Sequence, residues 1–393
     1  MKVVDLEPPL FTASSASRWH SAEPVAVDHS PTRADLVGVA VIAVVIRVIL
    51  CTAAVHIRGW SLFHFATLRD GDSYVRMARA LLGDSSGVSL IDRRVFIGYP
   101  ALIAALGALG VPLHLAALGL NWASAAVSAC LTAVLFRDRR LGWAMATLTP
   151  SYLLYSTMGM SESTLLAFTL AGLVLVRRRQ DVGGGILLGA AGLIRPMACF
   201  AALGALFEKS REGWRSLRRV AVAAASALGA GVVAYQLWSG DALQNVQIYA
   251  TDQRAYAGQL FAWPFESLIM TPIRADVALW QVVHIWTYVG LTLLACGILG
   301  RDLARSRSRS PAELRDLRLS APWLIGNTLF TLCVGHIWGF YQFHRFILVA
   351  LPPLLWVFRR YYPKRWTGWL LIGAASAAVA LVGVLRSDIS ILH

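Results

Sequence analysis

The chain has 393 residues, 57% of them hydrophobic and only 15% charged, with a mean hydropathy of +0.58. A soluble domain carries roughly 25% charged residues, so an ordinary soluble enzyme is excluded and the long apolar runs give an all-α polytopic membrane protein. The formal net charge of +14 comes from short basic clusters between those runs, a positive-inside pattern that needs no nucleic acid as partner.

Residues 1–34 carry Pro8, Pro9, Pro24 and Pro31 among small polar residues and read as a flexible cytoplasmic tail. No signal peptide is visible, because Asp5 and Glu7 precede a late apolar run. Residues 35–393 read as one multi-span domain. Apolar spans fall at about 35–55, 115–136, 141–158, 163–176, 182–194, 196–207, 220–238, 278–300, 319–339, 346–358 and 366–385. With the N-terminus inside, the basic clusters at Arg137–Arg140, Arg177–Arg179, Lys209–Arg219, Arg301–Arg318 and Arg359–Arg365 all fall on the cytoplasmic side. That alternation requires the run Phe96–Val111 to stay on the outer side. The run is short and interrupted by Gly98, Pro100, Gly107 and Gly110, which suits a re-entrant or surface-lying segment. Two long outer loops remain, 56–114 and 239–277.

The first loop contains Arg69-Asp70-Gly71-Asp72-Ser73-Tyr74. From Asp72 to Leu82 the residues Tyr74, Met77, Ala78, Leu81 and Leu82 form the apolar stripe of an amphipathic helix, with Ser73, Arg76 and Arg79 opposite. Such a helix lies in the headgroup layer, with two carboxylates at its start. Asp70 is either an N-cap or a functional acid facing a lipid-borne substrate. The second loop, through Tyr249, Asp252, Arg254, Tyr256, Trp263 and Glu266, is aromatic and amide-rich, which suits sugar or headgroup contacts or an interfacial belt.

Ionisable residues near membrane depth are expensive and usually functional. Arg47 lies in the outer half of the first span, where it can snorkel outward. Glu162, Arg195 and Arg345 lie at the outer ends of later spans, with His336 one span before Arg345. Acids and bases gathered on one face fit an anionic, membrane-bound substrate. Cys51, Cys130, Cys199, Cys296 and Cys333 lie in or beside apolar runs and read as inert packing residues. No HExxH, paired CxxC, P-loop or dinucleotide fingerprint is present.

The stretch from Arg69 to Leu81 resembles the first-loop acidic motif of the GT-C integral-membrane glycosyltransferases, in particular of GPI mannosyltransferase II (PIG-V-like) proteins. Phe96-Ile-Gly-Tyr-Pro100 is similar to the aromatic-Pro segment that follows in that family. Ser156–Ser163 resembles its Ser/Thr-Glu-Ser motif, Gly192–Pro196 its Leu-x-Arg segment and Phe343–Pro353 its late Arg-to-Pro stretch. Arg69 stands where Trp is expected, Ser73 where His is frequent, and Thr149-Pro150 where Asn-Pro is usual.

The resemblance implies a GT-C-like bundle of about eleven transmembrane helices with amphipathic juxtamembrane helices in the first outer loop. It implies inverting transfer of a sugar, mannose first, from a polyprenyl-phosphate-linked donor to a lipid or glycan acceptor hydroxyl on the extracytoplasmic face of the cell membrane. Such a transfer needs a carboxylate to take the acceptor proton and cations to stabilise the departing phosphate. Asp70 is the expected base. Asp72 or Glu162 would orient the acceptor or raise the base's pKa by proximity. Arg195, Arg345 and Arg47 are the expected phosphate ligands, and Tyr74, Tyr99, His336 and His344 the expected substrate contacts. No nucleotide or soluble cofactor is required, and a divalent ion between Asp70 and Asp72 lacks a third ligand. The alternatives are a transporter or flippase of lipid-linked sugars, or a non-catalytic scaffold of a cell-envelope enzyme.

Overall fold

Thr32 and Asp35 form a reciprocal capping box at the start of the first helix, satisfying backbone donors that have no partner within the helix. Gly59, in the left-handed region at φ 65°, ends it. The structure, a computed structural model, describes residues 29–257, 261–274, 277–305, 309–363 and 365–386. Most of the expected tail therefore lies outside the described residues. Its last part does not hang free, since the His29 carbonyl accepts from the Arg139 amide at 2.9 Å.

The described residues form helices and no strand, with one isolated bridge between Phe261 and Val334. In chain order the helices are α1 (Arg33–Arg58), α2 (Leu62–Ala66), α3 (Gly71–Leu81), α4 (Gly98–Ala108), α5 (Leu113–Phe136), α6 (Arg139–Thr147) and α7 (Pro150–Thr157). Then come α8 (Glu162–Arg177), α9 (Asp181–Ile194), α10 (Ala198–Lys209), α11 (Trp214–Ser239), α12 (Gln244–Ala257) and α13 (Glu266–Arg274). The last are α14 (Leu279–Ala304), α15 (Pro311–Leu332), α16 (His336–Tyr341), α17 (Phe343–Phe346), α18 (Leu351–Phe358) and α19 (Trp366–Leu385).

Five of these, α1, α5, α11, α14 and α19, are long and apolar enough to cross a membrane. The pair α7 and α8 makes a sixth if counted as one span bent by 106°. The run expected at 141–158 is thus not one helix. Pro150 starts α7, and a proline disfavours helical backbone in the residue before it. The run expected at 346–358 is likewise divided, by a 3₁₀ turn over Ile347–Ala350. The segment Phe96–Val111 yields α4, 11 residues long, or about 16 Å at 1.5 Å per residue, too short to cross alone.

Helix breaks expose carbonyls that must find partners. At the end of α7, Asn121 of α5 donates to the Tyr155 and Met158 carbonyls at 2.9 and 2.6 Å, and Trp122 Nε1 donates to the Thr157 carbonyl at 2.8 Å. At the second break, Trp323 and Asn327 of α15 donate to the Val349 and Phe346 carbonyls at 3.0 and 3.2 Å. Two buried asparagines therefore hold open the two breaks beside which the charged residues sit.

Two glycines bring the first loop against the α7–α8 break. A Cβ on Gly71 or on Gly159 would stand 2.3 Å from the Ala66 carbonyl oxygen, a separation that side-chain carbons do not tolerate. At the far end of α8 lies a separate lock. Arg177 pairs with Glu208 of α10 at 3.1 Å and with Asp316 of α15 at 2.8 Å, all three nearly buried. Glu162 and Arg177 stand at opposite ends of the 16-residue α8, roughly 22 Å apart.

Candidate active site

Arg69 adopts a left-handed backbone at φ 57°, a conformation uncommon outside glycine. Asp70 follows it at the start of α3, and its side chain makes no capping hydrogen bond. It meets arginines instead. Arg345 Nη2 lies 2.7 Å from Asp70 Oδ2, and Arg94 Nη2 lies 3.5 Å from Asp70 Oδ1. Arg345 also bonds Glu162 Oε1 through Nε. Arg195 Nη2 reaches the same Glu162 oxygen at 2.9 Å, and Arg195 Nε donates to Ser161 Oγ at 2.9 Å. The Tyr74 hydroxyl completes the group, 2.9 Å from Ser161 Oγ and 3.3 Å from Arg195 Nη2.

Four distant segments thus place Asp70, Glu162, Arg195 and Arg345 in one network, with Arg94 at its edge. Each carboxylate faces two guanidiniums, and the arginines outnumber the acids. The two acids differ in access. The Glu162 side chain is 2% exposed and that of Asp70 is 25% exposed. Glu162 Oε2 is buried and has no hydrogen-bond partner, an unusual state for a carboxylate oxygen. Burial raises the Asp70 pKa, but Arg345, Arg94 and Arg195 outweigh it and hold the carboxyl well below its usual range. Proximity of acids was expected to raise the pKa of this group; the neighbouring cations lower it.

The remaining expected residues are distributed more widely. Asp72 pairs with Arg76 one turn along α3 and not with Asp70's arginines. Tyr99 is buried behind Tyr74, ring centroids 5.0 Å apart, with its hydroxyl committed to the Ala117 carbonyl at 2.9 Å. His344 Nε2 lies 3.1 Å from the Tyr155 hydroxyl. His336 begins α16, but its side chain lies outside the described residues, as do those of Tyr249, Asp252, Arg254 and Tyr256. Trp263 is exposed. Arg47 does not snorkel. It is fully buried, bonded to Ser156 Oγ at 2.8 Å and to the Ala43 carbonyl at 2.6 Å, over the Tyr152 ring. Bundle packing offers it partners that a lone span cannot. Ser73, expected on the polar face, is buried because it bonds Asp92 at 2.7 Å.

Three contributors carry no clear sequence signal. Arg94 lies in an ordinary Ile-Asp-Arg-Arg turn. Ser161 is detectable only as the neighbour of Glu162. Tyr155 sits in an apolar run, yet its ring lies under both Arg345 and Arg69, at 5.2 and 5.5 Å, within cation–π range. Among the described residues no group of three His, Cys, Asp or Glu side chains is arranged to hold a metal ion. The four convergent residues meet one another, and none of them lines the cavity of about 800 Å³ beside them. Their sequence neighbours Arg69 and His344 do line it. No protein-family model matches this chain, and no curated protein matches it.

Proposed function

We propose that the chain is an inverting glycosyltransferase of the GT-C type that moves a sugar, mannose first, from a polyprenyl-phosphate donor to a lipid or glycan hydroxyl. In this reading about eleven helical segments cross the membrane, with the N-terminus cytoplasmic and Asp70 extracytoplasmic. The observation that carries the reading is the pairing of an accessible carboxylate, Asp70, with Arg345, which is itself anchored on the buried Glu162. The acceptor oxygen attacks the anomeric carbon while the bond to the phosphate oxygen breaks. The acceptor proton passes to Asp70, and Arg345 and Arg195 neutralise the leaving polyprenyl phosphate. Asp72 and Tyr74 are left to orient the acceptor from α3.

A second reading is favoured by the 106° break between α7 and α8 at the charge network, since transporters bind substrates at broken helices. The deciding experiment uses purified protein in nanodiscs with a radiolabelled polyprenyl-phosphate sugar. Transfer to an acceptor extract that is lost in Asp70→Asn supports the enzyme. Movement of the intact donor across a proteoliposome membrane, without transfer, supports the transporter and overturns the proposal.

A further inference from the structure

Tyr155 stands in the last turn of α7, beside the break that carries the charge network, and each of its groups has a defined partner. Its side chain is fully buried. Asn121 donates to its carbonyl at 2.9 Å, and His344 Nε2 lies 3.1 Å from its hydroxyl. Its ring meets the Arg345 guanidinium at 5.2 Å and the Arg69 guanidinium at 5.5 Å. Arg69 precedes Asp70 in the chain, and His344 precedes Arg345. One side chain thus grips both segments that bring Asp70 and Arg345 together, the turn before α3 and the short helix α17. The His344 ring is backed in turn by His284 and Tyr288 of α14, at centroid distances of 5.6 and 6.1 Å. The Tyr288 hydroxyl accepts from Ser151 Oγ at 2.8 Å, which ties that backing to α7. Tyr152, one turn earlier on α7, offers a comparison. It is equally buried, with its ring at 5.3 Å from the Arg47 guanidinium. Arg47, however, bonds neutral groups, Ser156 Oγ and the Ala43 carbonyl, so that contact positions no carboxylate.

We propose that Tyr155 is a positioning residue for the transfer step. Its ring and hydroxyl set the approach of Arg345 to Asp70, and the ring keeps hold of Arg345 when the leaving phosphate draws it from Asp70. The two kinds of contact divide the work. Carboxylates bind a guanidinium through particular N–H groups in its plane, so Asp70 and Glu162 fix which nitrogen points where. A ring attracts the cation as a whole through its quadrupole, so the guanidinium can turn between anions while it stays over Tyr155. Burial of the ring excludes water from this contact, the condition under which such an attraction is strongest. The exchange of partners by Arg345 belongs to the transition state, so a weakened ring contact should lower kcat and leave the donor KM in place. The role in turnover rests on the transferase reading; the clamp on Asp70 and Arg345 does not.

The test replaces Tyr155 by Phe, and then by 3,4,5-trifluorophenylalanine, in the full chain in nanodiscs. Fluorine withdraws charge from the ring face but keeps the ring's shape and apolar character, so a packing role predicts no loss between these two variants. Tyr155→Phe keeps the ring and loses the contact with His344, and its kcat should fall about threefold, the scale of one neutral hydrogen bond. The trifluoro ring should lower kcat about tenfold further, the scale of a desolvated cation–π contact, with the donor KM unchanged. It should also melt below Tyr155→Phe. Tyr152→Leu should melt below the wild type yet keep the wild-type kcat. Three results would each overturn the proposal: equal kcat for the Phe and trifluoro variants, a loss carried in KM instead, or a kcat loss in Tyr152→Leu as large as in the trifluoro variant. If the wild type transfers no sugar, the transferase reading fails and melting alone decides the clamp. A trifluoro variant less stable than Tyr155→Phe then keeps it, and equal stability removes it.

Discussion

Asp70 and Glu162 share Arg345, yet replacing each by its amide should have opposite consequences. Glu162 is 2% exposed and bridges Arg195 and Arg345. Glu162→Gln leaves two buried guanidiniums without their common anion, a loss in the range of about 3–5 kcal/mol for breaking a buried pair. Asp70 is 25% exposed, and Arg345 keeps Glu162 when Asp70 is neutralised. Asp70→Asn should therefore change stability by about 1 kcal/mol or less, the scale of a partly solvated pair. Its effect on transfer should be large, about 10² to 10⁴ in rate, the usual contribution of a general base. Asp70→Ala should melt like Asp70→Asn, because the native side chain makes no capping bond to lose; a capping role would instead cost about 0.5–2 kcal/mol in Ala and nearly nothing in Asn. Thermal melting of each variant in nanodiscs, followed by sugar transfer on the folded protein, separates these patterns. A well-folded Asp70→Asn protein with near-wild-type transfer removes Asp70 from the mechanism. A Glu162→Gln protein that melts like wild type removes Glu162 as the anchor of the network.

Gly159→Ala should destabilise by about 1–3 kcal/mol, the range for overpacking, and should also weaken transfer, because the new Cβ must push Ala66 and the loop carrying Asp70 away; unchanged melting and unchanged transfer would refute the close-approach argument. Arg177→Met, at the opposite end of α8, should lower the melting temperature through about 3–5 kcal/mol of broken buried pairing while the KM of the folded fraction stays put; a KM shift would mean that the two ends of α8 are coupled. The pH profile follows from the direction of the Asp70 shift. Its folded pKa is depressed, so its contribution to stability is fully present above the unfolded value of about 3.9 and is lost only as pH falls through the lower folded value. Between about pH 5 and 8 the kcat/KM of the wild type should show no acid limb from Asp70, and an observed limb near pH 6 would assign the base elsewhere.

The apolar runs made the all-helical membrane architecture readable, and the intrusion of Glu162, Arg195 and Arg345 into those runs made their convergence with Asp70 readable. A charge that must avoid hydrocarbon narrows the places where its partners can be. Arg47 shows the limit of that logic. Its partner Ser156 lies 109 residues away, and only the packing of α1 on α7 reveals that the arginine has an interior home. The helix breaks were hidden for a related reason. Hydropathy reports which residues leave water, not where the backbone turns, and the residues that stabilise the turns, Asn121 and Asn327, sit in other helices. Asp72 and Tyr99 were named for their motifs, but local chemistry claims them first: an i, i+4 partner for one and a backbone carbonyl for the other.

A carboxylate held at a depressed pKa is a weak base, and the transferase reading has to accommodate that. An acceptor hydroxyl is not acidic before attack; it becomes acidic as its oxygen bonds the anomeric carbon and takes on positive charge. A weak base suffices if the proton leaves late in that step. In the same step the leaving phosphate gains negative charge and competes with Asp70 for Arg345. As Arg345 turns toward the phosphate, Asp70 loses its nearest cation and becomes more basic when the proton arrives. One guanidinium would thereby tie departure of the lipid phosphate to capture of the proton, with Glu162 keeping its Nε fixed. Lysine at position 345 keeps the charge but has one nitrogen in place of the two, Nε and Nη2, that meet Glu162 and Asp70 separately. Arg345→Lys should therefore retain part of the transfer that Arg345→Ala loses, with the deficit in kcat and not in donor retention. Full transfer by a double Ala variant at positions 195 and 345 would show that neither guanidinium meets the phosphate.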